Sequence, residues 1–402
     1  MKRIFIAAAL LMSYITGLAQ QNDSTAYHPK RISKTDIQLL QSYYTQDGNH
    51  SAVTGGTGTE ALTVYATDVS INHQRDSANT FQLDFGIDVI TSASTDRIDF
   101  VMSSASYHDN RFHLSTGYTR NFNKHHVSAG INAGLSLESD YLSIPVGVNF
   151  SKESTDQTRR FTVGVQAYFD DLRWGRFDPD HYSPETLVYP EELRYKQWFD
   201  IYRRTSYNFS FAYYQVINQR MQFAVFPEFV YQEGLLSTPF HRIYFNNDTL
   251  RVENLPRERW KIPLGVQLNV FTGNNVIIRS YYRYYKDNFG ISSHTFQLEM
   301  PVKLSPAFTL SPLVRVYTQT KAKYFRPYKA HTLDETYYTS DYDLSRFSSY
   351  KAGIGVRYTP FRQLSHHYTF KEIGLRYAFY KRSDQLSAHM ISLLVDLYHS
   401  KG

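Results

Sequence analysis

The feature that most constrains this chain is an alternation of apolar and polar residues at every second position, returning in about sixteen segments. Between Phe81 and Val89, the residues Phe81, Leu83, Phe85, Ile87 and Val89 are apolar, whereas Gln82, Asp84, Gly86 and Asp88 are polar or small. The pattern recurs at 127–137, 142–150, 161–169, 262–270, 296–304 and 391–397. Strand side chains leave the backbone on opposite sides in turn, so each segment has one oily row and one wet row. So many of them, with almost no helical period between, predict an all-β chain whose sheet closes on itself.

The strands are expected at 36–46, 60–74, 79–91, 111–121, 126–138, 142–151, 160–170, 205–217, 220–233, 260–271, 275–287, 291–303, 307–319, 349–359, 367–382 and 387–399. Most are longer than the 9–11 residues or so that a tilted strand needs to cross a bilayer. The connections sort by parity. Long ones follow odd strands, at 47–59, 92–110, 171–204, 234–259 and 320–348, while those after even strands are mostly tight, at 75–78, 122–125, 218–219, 272–274 and 305–306. Moderate exceptions stand at 152–159 and 360–366. A transmembrane up-and-down antiparallel β-barrel with both termini on one side sorts its loops this way. A soluble β-sandwich has no reason to.

Composition agrees with that reading. Mean hydropathy is only −0.45, yet the chain holds 34 Tyr and 27 Phe. Tyr favours strands and the membrane–water boundary, where its ring is buried and its hydroxyl wet. No stretch after the N-terminal leader reaches eighteen consecutive apolar residues, so a spanning helix is not expected. The start, Lys2-Arg3 followed by an apolar run and Gly17-Leu18-Ala19, has the form of a signal peptide at 1–19 cleaved after Ala19. A polar extension would then occupy 20–35 and the barrel 36–402. Losing Lys2 and Arg3 takes the 43 Lys and Arg to 41 against 37 acidic residues, a net +4. With no basic run, that excess predicts no nucleic-acid partner. There is no Cys, which excludes disulfides, thiol catalysis and a lipidated N-terminal cysteine.

Four strings carry a resemblance to a known family: Ser42–Gly56, Pro239-Phe-His-Arg-Ile-Tyr-Phe245, Val252-Glu-Asn-Leu-Pro256 and Arg283-Tyr-Tyr285. They resemble domain-of-unknown-function family 3570, uncharacterised bacterial outer-membrane β-barrel proteins. The resemblance implies an outer-membrane location; a barrel there is expected to have surrounding lipid and the barrel-assembly machinery as partners. It also implies periplasmic protein partners of a redox or flavin-transfer kind. It assigns no catalytic residue and no cofactor.

If the oily rows meet lipid, the wet rows line an interior that is wide enough for water at sixteen strands. That interior is expected to carry Asp84, Asp88, Glu138, Asp170 and Glu228 on the first nine strands. Arg279, Arg283, Arg315, Arg357, Arg376 and Arg382, with Glu299, Glu372 and Asp396 among them, fall on later strands. An acidic arc facing a mainly basic one would set a transverse field across the lumen and select anionic or zwitterionic solutes. Alternatively, the charges pair with one another and with an inward-folded loop, closing the barrel.

The loops hold weaker candidates. Thr54–Glu60 is Gly-rich but lacks the Lys-Ser/Thr of a phosphate loop, so it reads as a flexible outer turn. Asp334, Glu335, Asp341 and Asp343 are candidate ligands for a hard divalent cation, although the spacing is not that of an EF-hand. Tyr324–Tyr328 and Pro239–Phe245 mix aromatics with Arg, as ligand-gripping loops or packed anchors do. His108-Asp109, His241 and His294 lie near outer strand ends, the positions where an outer-membrane hydrolase would keep a base, but no G-x-S-x-G context accompanies them. The doublets His125-His126 and His366-His367 point apart and are poor chelators. The functional expectation is a passive channel for small polar solutes, not an enzyme. The alternative is a closed barrel that anchors or scaffolds periplasmic partners, with 20–35 as its handle.

Overall fold

The computed structural model describes residues 33–92, 108–138, 141–172, 202–238, 241–360, 362–363 and 368–401. The expected leader, its cleavage at Ala19, most of the 20–35 extension, the side chains of His108 and Asp109, and His366-His367 lie outside them.

Sixteen antiparallel strands form one closed barrel. They are β1 (Ser33–Asp47), β2 (Leu62–Gln74), β3 (Asn79–Ser92), β4 (His108–Phe122), β5 (Val127–Leu137), β6 (Leu142–Glu153), β7 (Arg159–Asp171) and β8 (Arg203–Asn218). There follow β9 (Met221–Gly234), β10 (Glu258–Thr272), β11 (Val276–Asp287), β12 (Ser292–Glu299, resumed at Val302–Lys303) and β13 (Phe308–Gln319). The last are β14 (Phe347–Tyr358, resumed at Arg362–Gln363), β15 (Tyr368–Arg382) and β16 (Ser387–Lys401). Each strand pairs with its neighbours in sequence, and β16 closes onto β1 in register from Ser33↔Lys401 to Asp47↔Ser387. The terminal strand therefore runs on through His399, beyond its aromatic Tyr398. Closure removes both sheet edges, which matters because an unpaired edge cannot be satisfied in hydrocarbon.

The two rows of each strand separate as their chemistry requires. On β6, Ile144, Val146, Val148 and Phe150 point outward and are 43–53% exposed, while Pro145, Gly147, Asn149 and Ser151 alternate with them. Ile87, Ile131 and Leu375 are 51%, 60% and 54% exposed. No second sheet covers them among the described residues, so the apolar belt is the surface that meets lipid. Prolines mark the breaks: Met300-Pro301 splits β12 and Pro360 follows the first part of β14. At Pro145, which has no N–H to donate, the β5–β6 ladder skips from Ala133↔Val146 to Ser136↔Ser143 without changing register.

A barrel of this kind has little dry interior, and the buried apolar residues sit elsewhere. Leu255, Phe289, Ile291, Ala322 and Phe325 form one buried cluster, with Tyr285, Tyr324 and Tyr342 against it. Ile243, Phe245 and Tyr338 form another. Most of these residues belong to the connections that follow odd strands. The long loops 235–257 and 320–346 thus fold into a packed cap, which includes a small hairpin (Arg242–Tyr244 paired with Leu250–Val252).

Candidate functional site

The candidate site is the charged inner wall together with the cap above it. Strand parity places the wall. On β14, Lys351, Gly353, Gly355 and Arg357 alternate with the outward Ala352, Ile354 and Val356, and the same parity turns Arg315 inward on β13 and Arg376 on β15.

Most of the inner charges have partners. Arg111 lies 3.6 Å from both Asp88 and Glu138, and Arg204 lies 2.8 Å from Asp170. Arg283 lies 3.5 Å from Glu228. Glu299 receives Arg279 at 3.5 Å and Arg376 at 2.8 Å. Arg357 reaches Glu372 at 3.7 Å, and Lys371 reaches Asp396 at 3.2 Å. Asp84 accepts from Ser70 and from Ser115. Asp88, Glu138 and Asp170 thus do not stand as a bare arc, because Arg111 and Arg204 neutralise them locally, whereas Asp84 is held by neutral donors.

Arg315 is different. It faces Lys351 directly across the β13–β14 ladder, and neither makes an ion pair among the described residues. Like charges directly opposite on adjacent strands are destabilising by some tenths of a kcal/mol. Both line a 440 Å³ cavity shared with Tyr44, Tyr317, Tyr380 and Arg382. Asp343 lies on the same cavity, where Arg382 engages it.

Arg382 itself belongs to the cap. Only 6% exposed, it donates to Asp343 at 2.5 Å, Asp384 at 2.6 Å and the Tyr342 carbonyl at 2.8 Å. Its guanidinium lies 3.8 Å from the centroid of the Phe347 ring. Beside it, the Gln319 amide donates to the carbonyls of Asp343 (2.9 Å) and Ser345 (2.6 Å). Both holders are inward-facing, so the turn at 341–345 sits on the lumen side of the wall.

The cap has a polar centre. Glu253, 2% exposed, accepts from the Thr339 hydroxyl at 2.5 Å and the Thr238 N–H at 2.7 Å, and lies 3.5 Å from His241. Burial depresses the His241 imidazole, but the charge and hydrogen bond of Glu253, with Asp341 and Asp343 beyond, outweigh it and leave the pKa raised. Burial also pushes Asp341 up to about 6, with Asp343 and Glu253 adding to the effect against His241. His331, fully buried, shares hydrogen bonds with Glu335 at 2.5 Å and the Thr339 carbonyl at 3.0 Å.

The cap also gathers the family strings. His50 stacks on Tyr342 with ring centroids 3.8 Å apart. Gly56, at φ +86°, passes so close to the chain that a Cβ would lie 2.8 Å from the Ser340 carbonyl. The Thr54–Glu60 stretch is therefore packed, not the flexible outer turn that its glycines suggest. The second string supplies Ile243 and Phe245, the third Val252, Glu253 and Leu255, and the fourth Tyr285.

The four candidate cation ligands are not brought together. Asp341 caps the short turn at Asp343 N–H, Asp343 binds Arg382, and Glu335 binds Arg326 and His331. Hydrogen bonds and the charges of His331 and Arg326 overcome partial burial and hold Glu335 below the carboxylate range, while a bond from Thr332 lowers Asp334. No group of three or more His, Asp or Glu able to hold a metal occurs among the described residues. His294 faces outward and pairs with Tyr282 at 2.7 Å, and His125-His126 close the β4–β5 turn. Neither sits with a nucleophile.

Sequence reasoning missed Arg111, Arg204, Lys351 and Lys371. Strand parity alone would have found Lys351, which shares a row with Arg357. Lys371 sits at the irregularity between Phe370 and Glu372, where the period of two fails.

These features define a class: a closed sixteen-stranded transmembrane barrel with a charged wall and a folded loop cap. The family model described as "Protein of unknown function (DUF3570)" matches residues 101–390, and the chain belongs to that family. The match contains the second, third and fourth strings, and Ser42–Gly56 lies before it. No curated protein matches the sequence. Among solved structures, the outer membrane protein opdK of Pseudomonas aeruginosa is similar at TM-score 0.42 and 7% identity, over 91% of this chain and 99% of that one. A BenF-like porin from Pseudomonas fluorescens is similar at TM-score 0.43 and 8% identity, over 91% and 99%.

Proposed function

We propose that this chain is a channel of the bacterial outer membrane, not an enzyme, that passes small polar solutes and favours anionic or zwitterionic ones. Its long loops face the cell exterior and both termini the periplasm. The observation that carries the reading is the Arg315–Lys351 pair, two inward cations without an ion pair among the described residues, on a cavity whose acid, Asp343, is engaged by Arg382. A passing anion would supply the countercharge they lack. The test is single-channel recording in planar bilayers under a salt gradient. The native protein should conduct with an anion-preferring reversal potential, which moves toward neutrality in Arg315→Gln/Lys351→Gln. Conductance that stays at baseline would reject the channel.

The packed core of the cap favours a second reading, a closed barrel that anchors periplasmic partners, redox or flavin-transfer proteins among them. Liposome swelling separates the two, since only the channel admits solute. Retention of a periplasmic partner that is lost when residues 20–35 are deleted would support the anchor.

A further inference from the structure

The lipid-facing belt is not uniform. On β12 to β15, at the end that carries the long loops, the outward surface is indented into a groove of 680 Å³. The strand registers explain it. Val316 lies between Phe296 on β12 and Tyr350 on β14, a small side chain between two large ones. One step toward the loops, Thr318 lies between His294 and Ser348. Phe296, Val316 and Tyr350 are 46–48% exposed, so the floor and both walls are open to the surroundings. Tyr282, hydrogen-bonded to His294, closes the far side.

The rim of this groove is polar. Lys381 is register-paired with the outward Tyr350 and shares its exposed face, and it has no ion pair among the described residues. The nearby acid of the same turn, Asp384, is engaged by Arg382 on the inner side. The Ser348 hydroxyl donates to Thr318 at 3.2 Å, and the Ser383 hydroxyl accepts from the Ser348 N–H at 3.1 Å. A lysine on the lipid-facing row is expensive at the bilayer midplane but tolerated at headgroup level, where its stem covers apolar surface and its ammonium meets phosphate.

An apolar trough that ends in an ammonium and a hydroxyl fits a ligand with a greasy chain and an anionic head. We infer that the groove binds a phosphorylated acyl lipid of the leaflet around the long loops. The chain lies over Val316 between Phe296 and Tyr350, and the phosphate is held at Lys381 with the Ser383 hydroxyl, which accepts from Ser348 N–H and keeps its own proton to donate. This follows from the outer surface alone and does not depend on whether the lumen conducts.

The test is native mass spectrometry of the purified full chain in neutral detergent. It is titrated with phosphatidic acid, phosphatidylcholine or diacylglycerol of the same acyl chains. Phosphatidic acid should bind about five- to tenfold more tightly than diacylglycerol, the contribution of one lysine near a phosphate. Lys381→Glu and Lys381→Gln should abolish that preference. Lys152→Glu, an outward lysine at the opposite end of the barrel, should keep it. Retention of the heat-induced shift in electrophoretic mobility identifies variants that still fold, and two lysine variants are used so that one folded protein is available. Equal binding of phosphatidic acid and diacylglycerol, or an undiminished preference in both Lys381 variants, would overturn the assignment. A preference lost equally in Lys152→Glu would do the same.

Discussion

Replacing Arg382 with Met should open the cap while leaving the barrel intact. Hydrogen bonds to three partners and one ring contact disappear, but they are not equal. The Asp343 side chain is 77% exposed, so its loss is worth less than about 1 kcal/mol. The Asp384 side chain is only 11% exposed, and leaving that carboxylate without its partner costs roughly 2–3 kcal/mol. Loss of the guanidinium over Phe347 adds about 1 kcal/mol, of which Met packing recovers a part. The cap should therefore open about 3 kcal/mol more easily, raising its open population by about two orders of magnitude. Amide hydrogen exchange reads this directly. The N–H groups of Ala322 and Thr339, bonded to the carbonyls of Leu344 and Tyr324, should exchange about a hundredfold faster, while those of β6 stay unchanged. Unaltered protection at Ala322 and Thr339 would refute the reasoning. Equal acceleration in β6 would show that Arg382 holds the barrel and not the cap.

Asp341 and His241 both have raised pKa values in the cap. An acid whose folded pKa lies above its unfolded one loses stability as pH rises between the two, and a raised His loses its contribution as pH climbs through the folded value. Both act in one direction, so acidification from pH 8 to 5 should tighten the cap. Exchange corrected for intrinsic rates should slow, and Asp341→Asn should flatten the lower part of that profile. Ile354→Arg, on the outward row of β14, should lower stability against urea in lipid by about 2–4 kcal/mol, while the inward neighbour Gly355→Ser should not. Gly234→Ala should destabilise the β8–β9 end by more than about 1 kcal/mol, because φ is +102° and the added Cβ would collide with the Arg203 carbonyl. Its thermal transition should fall accordingly.

The parts of the molecule that sequence revealed are those governed by a local period. Phe81 to Val89 announces which residues face lipid without knowledge of any partner, because the pleat fixes direction two residues at a time. The sorting of loops by length follows from topology in the same way. The cap was not legible, since its contacts are non-local and aperiodic. Nothing in Glu253 foretells Thr339, 86 positions away, and nothing in His50 foretells Tyr342. The inner charges lie between these extremes. Their side of the wall could be read, whereas their partners required the registers that set Arg111 beside Asp88 and Arg283 beside Glu228. Arg382 shows the limit: parity turns it inward, but only the folded 341–345 turn makes it an anchor.

The central claim is that successive residues of every strand look alternately into acyl chains and into an enclosed aqueous space. Because the chain has no cysteine, single cysteines introduced from residue 81 to residue 89 of β3 can carry spin labels in lipid vesicles. Odd positions should be relaxed by dissolved oxygen and even positions by a water-soluble nickel complex, in strict alternation. A profile in which both sets respond alike, or in which the odd positions are shielded from lipid, would contradict the account.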